Sequence, residues 1–239
     1  MQSGQAVALS LSEFVQPGAR IAILAPHPDD ESLGTGGLIQ KAVAVGAEVK
    51  VLFITDGDNN PWPQRYVEQR WFINAPERAR WGARRRQEGQ RALEQLSNGQ
   101  ATSEFLGLPD AGILALWEAG LPGPRPACEK LLREWQPTVV VMPSAIDRHP
   151  DHVATHAYAL DAIRSTQLQC QAYSYLIHLP WSQKLLRRHS ASDQLPLTET
   201  ERLRKLAAIR CHETQMALSS SRFEQFATHT ERYSLVQIT

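Results

Sequence analysis

Cysteine is scarce in this chain of 239 residues: Cys128, Cys170 and Cys211 stand far apart, odd in number and without a CxxC pair. They exclude a disulfide framework and fit a reducing compartment. Net charge is lacking too, since 25 Lys and Arg balance 25 Asp and Glu. No global field draws the chain to nucleic acid or an acidic membrane surface. The short basic runs Arg84-Arg85-Arg86 and Arg187-Arg188-His189 read as solvated helix faces. Long apolar runs are missing: no stretch reaches the roughly 20 residues that span a bilayer. Residues 1–18 lack the basic start and sustained apolar core of a signal peptide. Cytoplasmic, with no transmembrane segment and no nucleic-acid partner, is the expectation. A phosphate-binding turn is also lacking, because Gly34, Gly36 and Gly37 match neither GxGxxG nor GK[ST]. That absence counts against a nucleotide-binding module, and these glycines read instead as close packing of a helix start against a sheet.

What is present is alternation. Hydrophobic residues make up 42% and charged residues 21%, ordinary values for a globular protein with a sizeable core. The apolar runs IAILAP at 21–26 and VKVLFITDG at 49–57 read as strands covered on both faces. Between them Leu38, Ile39, Ala42 and Val45 mark one face of a helix ending at Gly46, giving a right-handed βαβ unit. A helix over 77–96, with Ala83, Ala92, Leu93 and Leu96 facing the core, precedes a third strand at 103–109. TVVVMPS at 138–144 is the fourth strand, followed by a helix at 151–164 and a strand at 172–179. A last helix is expected over 198–218, opened by the capping signal Thr198-Glu199-Thr200-Glu201.

The pattern predicts an α/β fold over one domain, residues 1–239: a Rossmann-like open, mostly parallel sheet with helices on both faces. Residues 58–76, DNNPWPQRYVEQRWFINAP, have no clear period and read as a lid or substrate-loop excursion. Trp62, Trp71, Phe72 and Trp81 around it either stack on a sugar ring or acyl chain or form a small core of their own. The tail at 219–239 completes either a subunit contact or a pocket wall.

Open α/β sheets bind ligands at the carboxyl ends of their strands. His27, Asp29 and Asp30 follow the first strand, Asp56 the second and Asp110 the third; DRHPDH after the fourth supplies Asp147, His149, Asp151 and His152. Taken singly, such an aspartate is an N-cap or turn former and such a histidine an ordinary core or surface residue. HPDD and HPDH at two different strand ends point together to a site. Two histidines and a carboxylate, without cysteine, match a catalytic zinc site with a position left for water, and Fe²⁺ or Mn²⁺ also suit that donor set. A spare carboxylate can serve as base, and a spare histidine can stabilise charge on an acyl oxygen. These are the ingredients of amide hydrolysis. His156, four residues after His152, reads as a supporting or packing residue.

HPDDE after a first strand, TDG after a second, Arg-x-x-Glu in the next helix, FLGLPD and DRHPDH together resemble the PIG-L/LmbE-like de-N-acetylase family, and KLAAIRCHETQ at 205–215 does so more weakly. The resemblance implies a metal-dependent hydrolase that removes acetyl from an N-acetylglucosaminyl conjugate. The alternative it leaves is an amidase acting on a larger acyl or thiol-sugar conjugate. It implies His27, Asp30 and His152 as zinc ligands, Asp29 as general base, and His149 as the cationic group facing the tetrahedral intermediate. Asp151 would support the catalytic group, and Arg85 and Asp110 would contact sugar hydroxyls. Some relatives carry a tyrosine two residues before the first histidine of HPDH; here that residue is Asp147. The helix start before which His149 lies would lower its pKa, and Asp147 and Asp151 would raise it, a balance suited to titration near neutrality. The implied partner is a small amino-sugar conjugate, lipid-linked in some relatives, and an oligomer is compatible with all of this.

Overall fold

The structure is a computed structural model that describes residues 11–178 and 193–238. Residue 179, at the expected end of the fifth strand, and the basic run at 187–189 lie outside the described residues. After a short helix α1 (Leu11–Phe14), the chain alternates β1 (Arg20–Ala25), α2 (Asp30–Ala44), β2 (Glu48–Thr55), α3 (Pro61–Glu68), α4 (Ala75–Ser97) and β3 (Thr102–Leu108). Next come α5 (Ile113–Glu118), α6 (Arg125–Trp135), β4 (Val139–Pro143), α7 (Pro150–Thr166) and β5 (Gln171–Tyr175). The last part holds β6 (Asp193–Pro196), α8 (Glu199–Arg210), α9 (Glu213–Met216), α10 (Ser220–Glu224) and β7 (Thr230–Leu235).

The strands form one seven-stranded sheet in the order β3-β2-β1-β4-β5-β7-β6. The first five strands of the chain run parallel, and β7 adds an antiparallel edge to β5 that pairs in turn with β6. β1 is continuously apolar because alternate residues enter different cores. Ile21, Ile23 and Ala25 pack with Leu38, Ile39, Phe53 and Leu96 on one face. Ala22 and Leu24 pack with Ile54, Leu132, Val140 and Ile163 on the other.

β1 lies between β2 and β4, so the chain leaves it toward one side of the sheet and returns on the other. A crevice opens at the carboxyl ends where strand order reverses in this way. The loops after β1 and β4, which carry HPDD and DRHPDH, are brought together there.

Four expectations are corrected. Residues 58–76 are not aperiodic: α3 begins at Pro61, capped by the Asn60 side chain, which accepts from Trp62 N at 3.3 Å. The helix expected over 198–218 breaks after Arg210, where His212 turns its ring into the interior, and resumes as α9. Ala83 and Val45 face solvent. Along α4 from Glu77 to Glu88 the buried positions are Glu77, Trp81, Gly82, Arg85 and Glu88, so charged side chains, with Trp81 among them, point inward. Finally, Gly34 and Gly37 sit inside α2, where a Cβ would overlap the Tyr175 ring and the Leu197 side chain respectively. Close packing holds, but against the middle of the helix.

A buried ion pair braces α2. Lys205 Nζ lies 2.6 Å from Glu231 Oε1 and donates to Leu33 O at 2.9 Å. The Glu231 carboxylate accepts from Gly37 N and Leu38 N at 2.7 and 2.9 Å, and Tyr233 Oη donates to Gly34 O at 3.2 Å. Backbone groups at the middle of α2 are thus held from α8 and β7.

Candidate active site

His27 lies on the turn between β1 and α2, and Asp30 opens α2. Asp30 Oδ2 accepts from His27 N at 2.8 Å and stands 3.3 Å from both His27 Nδ1 and His152 Nε2. His27 Nε2 faces Asp110 Oδ1 at 3.2 Å and Asp151 Oδ2 at 3.4 Å. His149 is the N-cap of α7, its Nδ1 accepting from Asp151 N at 3.3 Å. The His27 ring centroid is 4.6 Å from that of His149 and 5.5 Å from that of His152. The expected ligands and His149 therefore converge.

Among the described residues, three trios bring one donor atom each within 4.8 Å of one another: His27–His149–His152, Asp147–His152–His178 and His27–Asp110–Asp151. Two of the three expected ligands, His27 and His152, share the first trio, with His149 as its third member. Asp30 contacts the same two rings directly. His152 is fully buried, yet neither ring nitrogen makes a well-aligned hydrogen bond. A buried imidazole with two unsatisfied nitrogens, ringed by carboxylates, is a donor set that suits a divalent cation.

The charges at the site follow from burial and proximity. Burial alone would lower the pKa of His152, but Asp30 and Asp147 outweigh it and push it up to about 9. His27 is raised well above the ordinary value against its own burial, by Asp110, Asp151 and Asp30. His149 goes the other way, to about 4, through burial and then the neighbouring His27 and His152. With Nδ1 acting as N-cap acceptor, it is a neutral imidazole carrying its proton on Nε2. The near-neutral titration expected for it is not what this arrangement gives, because three histidines crowd it. Asp29 is raised by burial, a rise that Arg85 opposes.

Asp29 occupies a backbone conformation rare for any residue but glycine, with φ 152°. Arg85, expected at a sugar hydroxyl, is buried and directs its guanidinium at Gly57 O (2.6 Å), Pro28 O (2.7 Å) and Asp29 Oδ2 (3.0 Å). Asp110 likewise accepts from Asn59 N at 2.7 Å besides facing His27. Asp151 is buried behind His27, where it also accepts from Ala111 N and Ile113 N. Asp56 pairs with Arg86 at 2.6 Å. His156 bonds Pro143 O at 2.9 Å, a supporting contact.

One contributor, His178, was not singled out in the sequence, and Asp147, noted there without a role of its own, ties it to the site. Asp147 accepts from His149 N, Ile177 N and His178 N, and its two oxygens face His178 Nδ1 (3.0 Å) and His152 Nδ1 (3.3 Å). His178 lies just beyond the end of β5, so the same strand-end rule that found the other residues could have found it. The cleft above the site has a volume of 710 Å³ and is lined by Asp29, His149, His178, Arg222 and Phe226 among others. The last two give the tail a place in the pocket wall. From α3 and its flanks, Asn60 and Pro63 line the cleft. Trp62, Trp71 and Phe72 are 63%, 80% and 91% exposed, whereas Trp81 is core.

Fold and site define an α/β protein with a histidine–aspartate centre at the switch point of a parallel sheet. The chain belongs to the PIG-L family, whose profile, described as GlcNAc-PI de-N-acetylase, matches residues 22–163. It is similar to the 1D-myo-inositol 2-acetamido-2-deoxy-alpha-D-glucopyranoside deacetylase of Geodermatophilus obscurus, 30% identical over 162 residues that cover 62% of this chain and 53% of that one. The chain spans about half the length of the first curated relatives it matches. Its fold resembles that of N,N'-diacetylchitobiose deacetylase from Pyrococcus horikoshii, with a TM-score of 0.66 and 20% identity over 92% of this chain and 84% of the other. It equally resembles GalB, the 4-carboxy-2-hydroxymuconate hydratase of Pseudomonas putida, with a TM-score of 0.66 and 17% identity over 92% and 96%. Among the described residues no helix is long and apolar enough to cross a membrane.

Proposed function

We propose that the protein is a zinc-dependent N-deacetylase that hydrolyses the acetamido group of an N-acetylglucosaminyl conjugate in a reducing, aqueous compartment. The observation that carries this reading is the juxtaposition of a buried His152, its ring nitrogens meeting only the Asp30 and Asp147 carboxylates at 3.3 Å, with His27, in a cleft that Asp29 also lines. His27, Asp30 and His152 would hold the metal, with His149 beside them. A bound divalent metal supplies Lewis-acid polarisation of the amide carbonyl and acidifies a water.

The protein's own groups do the rest. Asp29 accepts the proton of the attacking water; burial raises its basicity, an effect the Arg85 guanidinium opposes. His149, with its proton on Nε2, donates a hydrogen bond to the acyl oxygen as negative charge develops there. The proton taken by Asp29 passes to the departing amine, and the products are acetate and the free amino sugar. The open cleft and the exposed Trp71 and Phe72 favour a bulky or lipid-linked aglycone over a free monosaccharide.

The test is Asp29→Asn. It is expected to retain bound metal and KM while kcat falls by about 10²–10⁴. Acetate release at the parental rate would remove Asp29 from the role of base. Assay of larger acyl amides on the same sugars separates deacetylation from a broader amidase activity.

A further inference from the structure

Three motif residues have no part in that reaction: the glutamate of HPDDE, the glutamate of Arg-x-x-Glu and the histidine of CHET. The fold brings all three into one buried chain of contacts around Asp29. The Asp29 N–H donates to Glu31 Oε2 at 3.0 Å. Glu31 is fully buried; its Oε1 accepts from Ser32 Oγ at 2.6 Å and stands 3.0 Å from His212 Nε2. His212, 1% exposed, sits at the break between α8 and α9. Two residues on, Thr214 donates to Glu88 through both its N–H, at 3.1 Å, and its hydroxyl. Glu88 is fully buried on α4, one turn after Arg85. Arg85 Nη2 then returns to Asp29 Oδ2 at 3.0 Å.

These contacts close into a ring through two stretches of backbone, His212 to Thr214 and Arg85 to Glu88: Asp29 N–H to Glu31, Glu31 to His212, Thr214 to Glu88, and Arg85 to the Asp29 carboxylate. We propose that this ring sets the direction of the Asp29 carboxylate, and that Glu31, His212 and Glu88 are positioning residues for it. The inference rests on the role proposed for Asp29 above. A backbone held at φ 152° relaxes unless its surroundings over-determine it. Here the peptide is held on one side by Glu31 and the carboxylate on the other by Arg85. Neither grip alone fixes both the backbone and the side-chain torsion. The ring also explains the motif spacings: Arg85 and Glu88 must leave one face of α4, and α8 must end where His212 can reach Glu31.

The experiment compares His212→Asn, which withdraws the ring nitrogen from Glu31, with His212→Gln, whose amide nitrogen reaches the position of Nε2. Crystal structures, bound metal and steady-state kinetics on an N-acetylglucosaminyl conjugate are measured for each. His212→Asn is expected to lower kcat by about 10- to 100-fold, the cost of misplacing a reacting group by about 1 Å. KM and bound zinc stay close to the parent, Asp29 leaves its positive-φ conformation, and His212→Gln recovers most of the loss. A folded His212→Asn protein with Asp29 unmoved and kcat unchanged overturns the proposal. If the parent protein hydrolyses no acetamido sugar, the base assignment fails, and the position of Asp29 in the variant crystal still decides the ring. If His212→Asn does not fold, Thr214→Val, which removes one hydroxyl contact to Glu88, serves in the same comparison: Asp29 shifted with kcat lowered supports the ring, and both unchanged overturns it.

Discussion

At the scale of single residues, the site depends on carboxylates that hold imidazoles in place. Asp147 is the clearest case. Burial would raise its pKa, but the adjacent His152 ring and the hydrogen bond with His178 outweigh burial and hold it well below the usual carboxylate range. It faces the His152 ring from the side opposite Asp30. Asp147→Asn is therefore expected to weaken zinc binding by about 10–100-fold, the usual effect of losing a carboxylate that orients a ligating histidine. Titration of the metal-free protein with zinc measures this; an unchanged affinity would contradict the role. Cys128 gives a second prediction. Burial pushes its thiol up to about 12. A group whose pKa is raised on folding stabilises the fold below its unfolded value and loses that contribution as pH climbs toward the folded one. Native protein should thus resist thiol alkylation at pH 8, lose stability above about pH 8.5–9, and react at Cys128 on unfolding. Rapid labelling of Cys128 in folded protein at pH 8 would contradict its burial.

At the scale of elements, α2 is the part whose placement matters most, since Asp30 opens it and Asp29 precedes it. The Lys205–Glu231 pair holds its middle, and removing one member leaves the other charged in the interior. Lys205→Met is expected to cost about 3–5 kcal/mol, read by chemical denaturation. A loss below 1 kcal/mol would mean that the brace contributes little. Gly37→Ala, which drives a Cβ into Leu197, is expected to cost about 1–3 kcal/mol. These elements differ in how far the sequence revealed them. The strands β1, β2 and β4 were legible because burial on both faces leaves an unbroken apolar run. The inner face of α4 was not, because Arg85 and Glu88 serve the site there and interrupt the apolar period. β7 was hidden for a related reason: its inward residues are Glu231 and Tyr233, so a buried charge stands where a hydrophobic residue would announce a strand. His212 likewise ended a helix that capping and composition would have carried on.

At the scale of the whole molecule, the location of the site was legible because sheet topology, more than local sequence, decides it: strand ends on either side of the switch point had to meet. His178 was less visible because the fifth strand was expected to run to 179, whereas β5 ends at Tyr175 and leaves His178 just past a strand end. The phenylalanine of the tail, Phe226, is delivered by tertiary packing. The fold alone does not select the chemistry, as likeness to both a deacetylase and a hydratase illustrates. The exposed aromatic residues that follow α3 bear on substrate choice. Since Trp71 and Phe72 are 80% and 91% exposed, replacing both with Ala should leave stability within about 0.5 kcal/mol for each. The same change should raise KM for conjugates with a large apolar aglycone more than for a small one, and equal effects would remove them from substrate binding. Metal-assisted deacetylation with Asp29 as base is the proposed reaction. Its most direct test is acetate release from N-acetylglucosaminyl conjugates by protein stripped with chelator and reloaded with stoichiometric zinc. No turnover is expected from the stripped protein, recovery is expected on reloading, and Asp29→Asn is expected to retain zinc without recovery. Turnover by the stripped protein, or full activity in the reloaded Asp29→Asn variant, would contradict it.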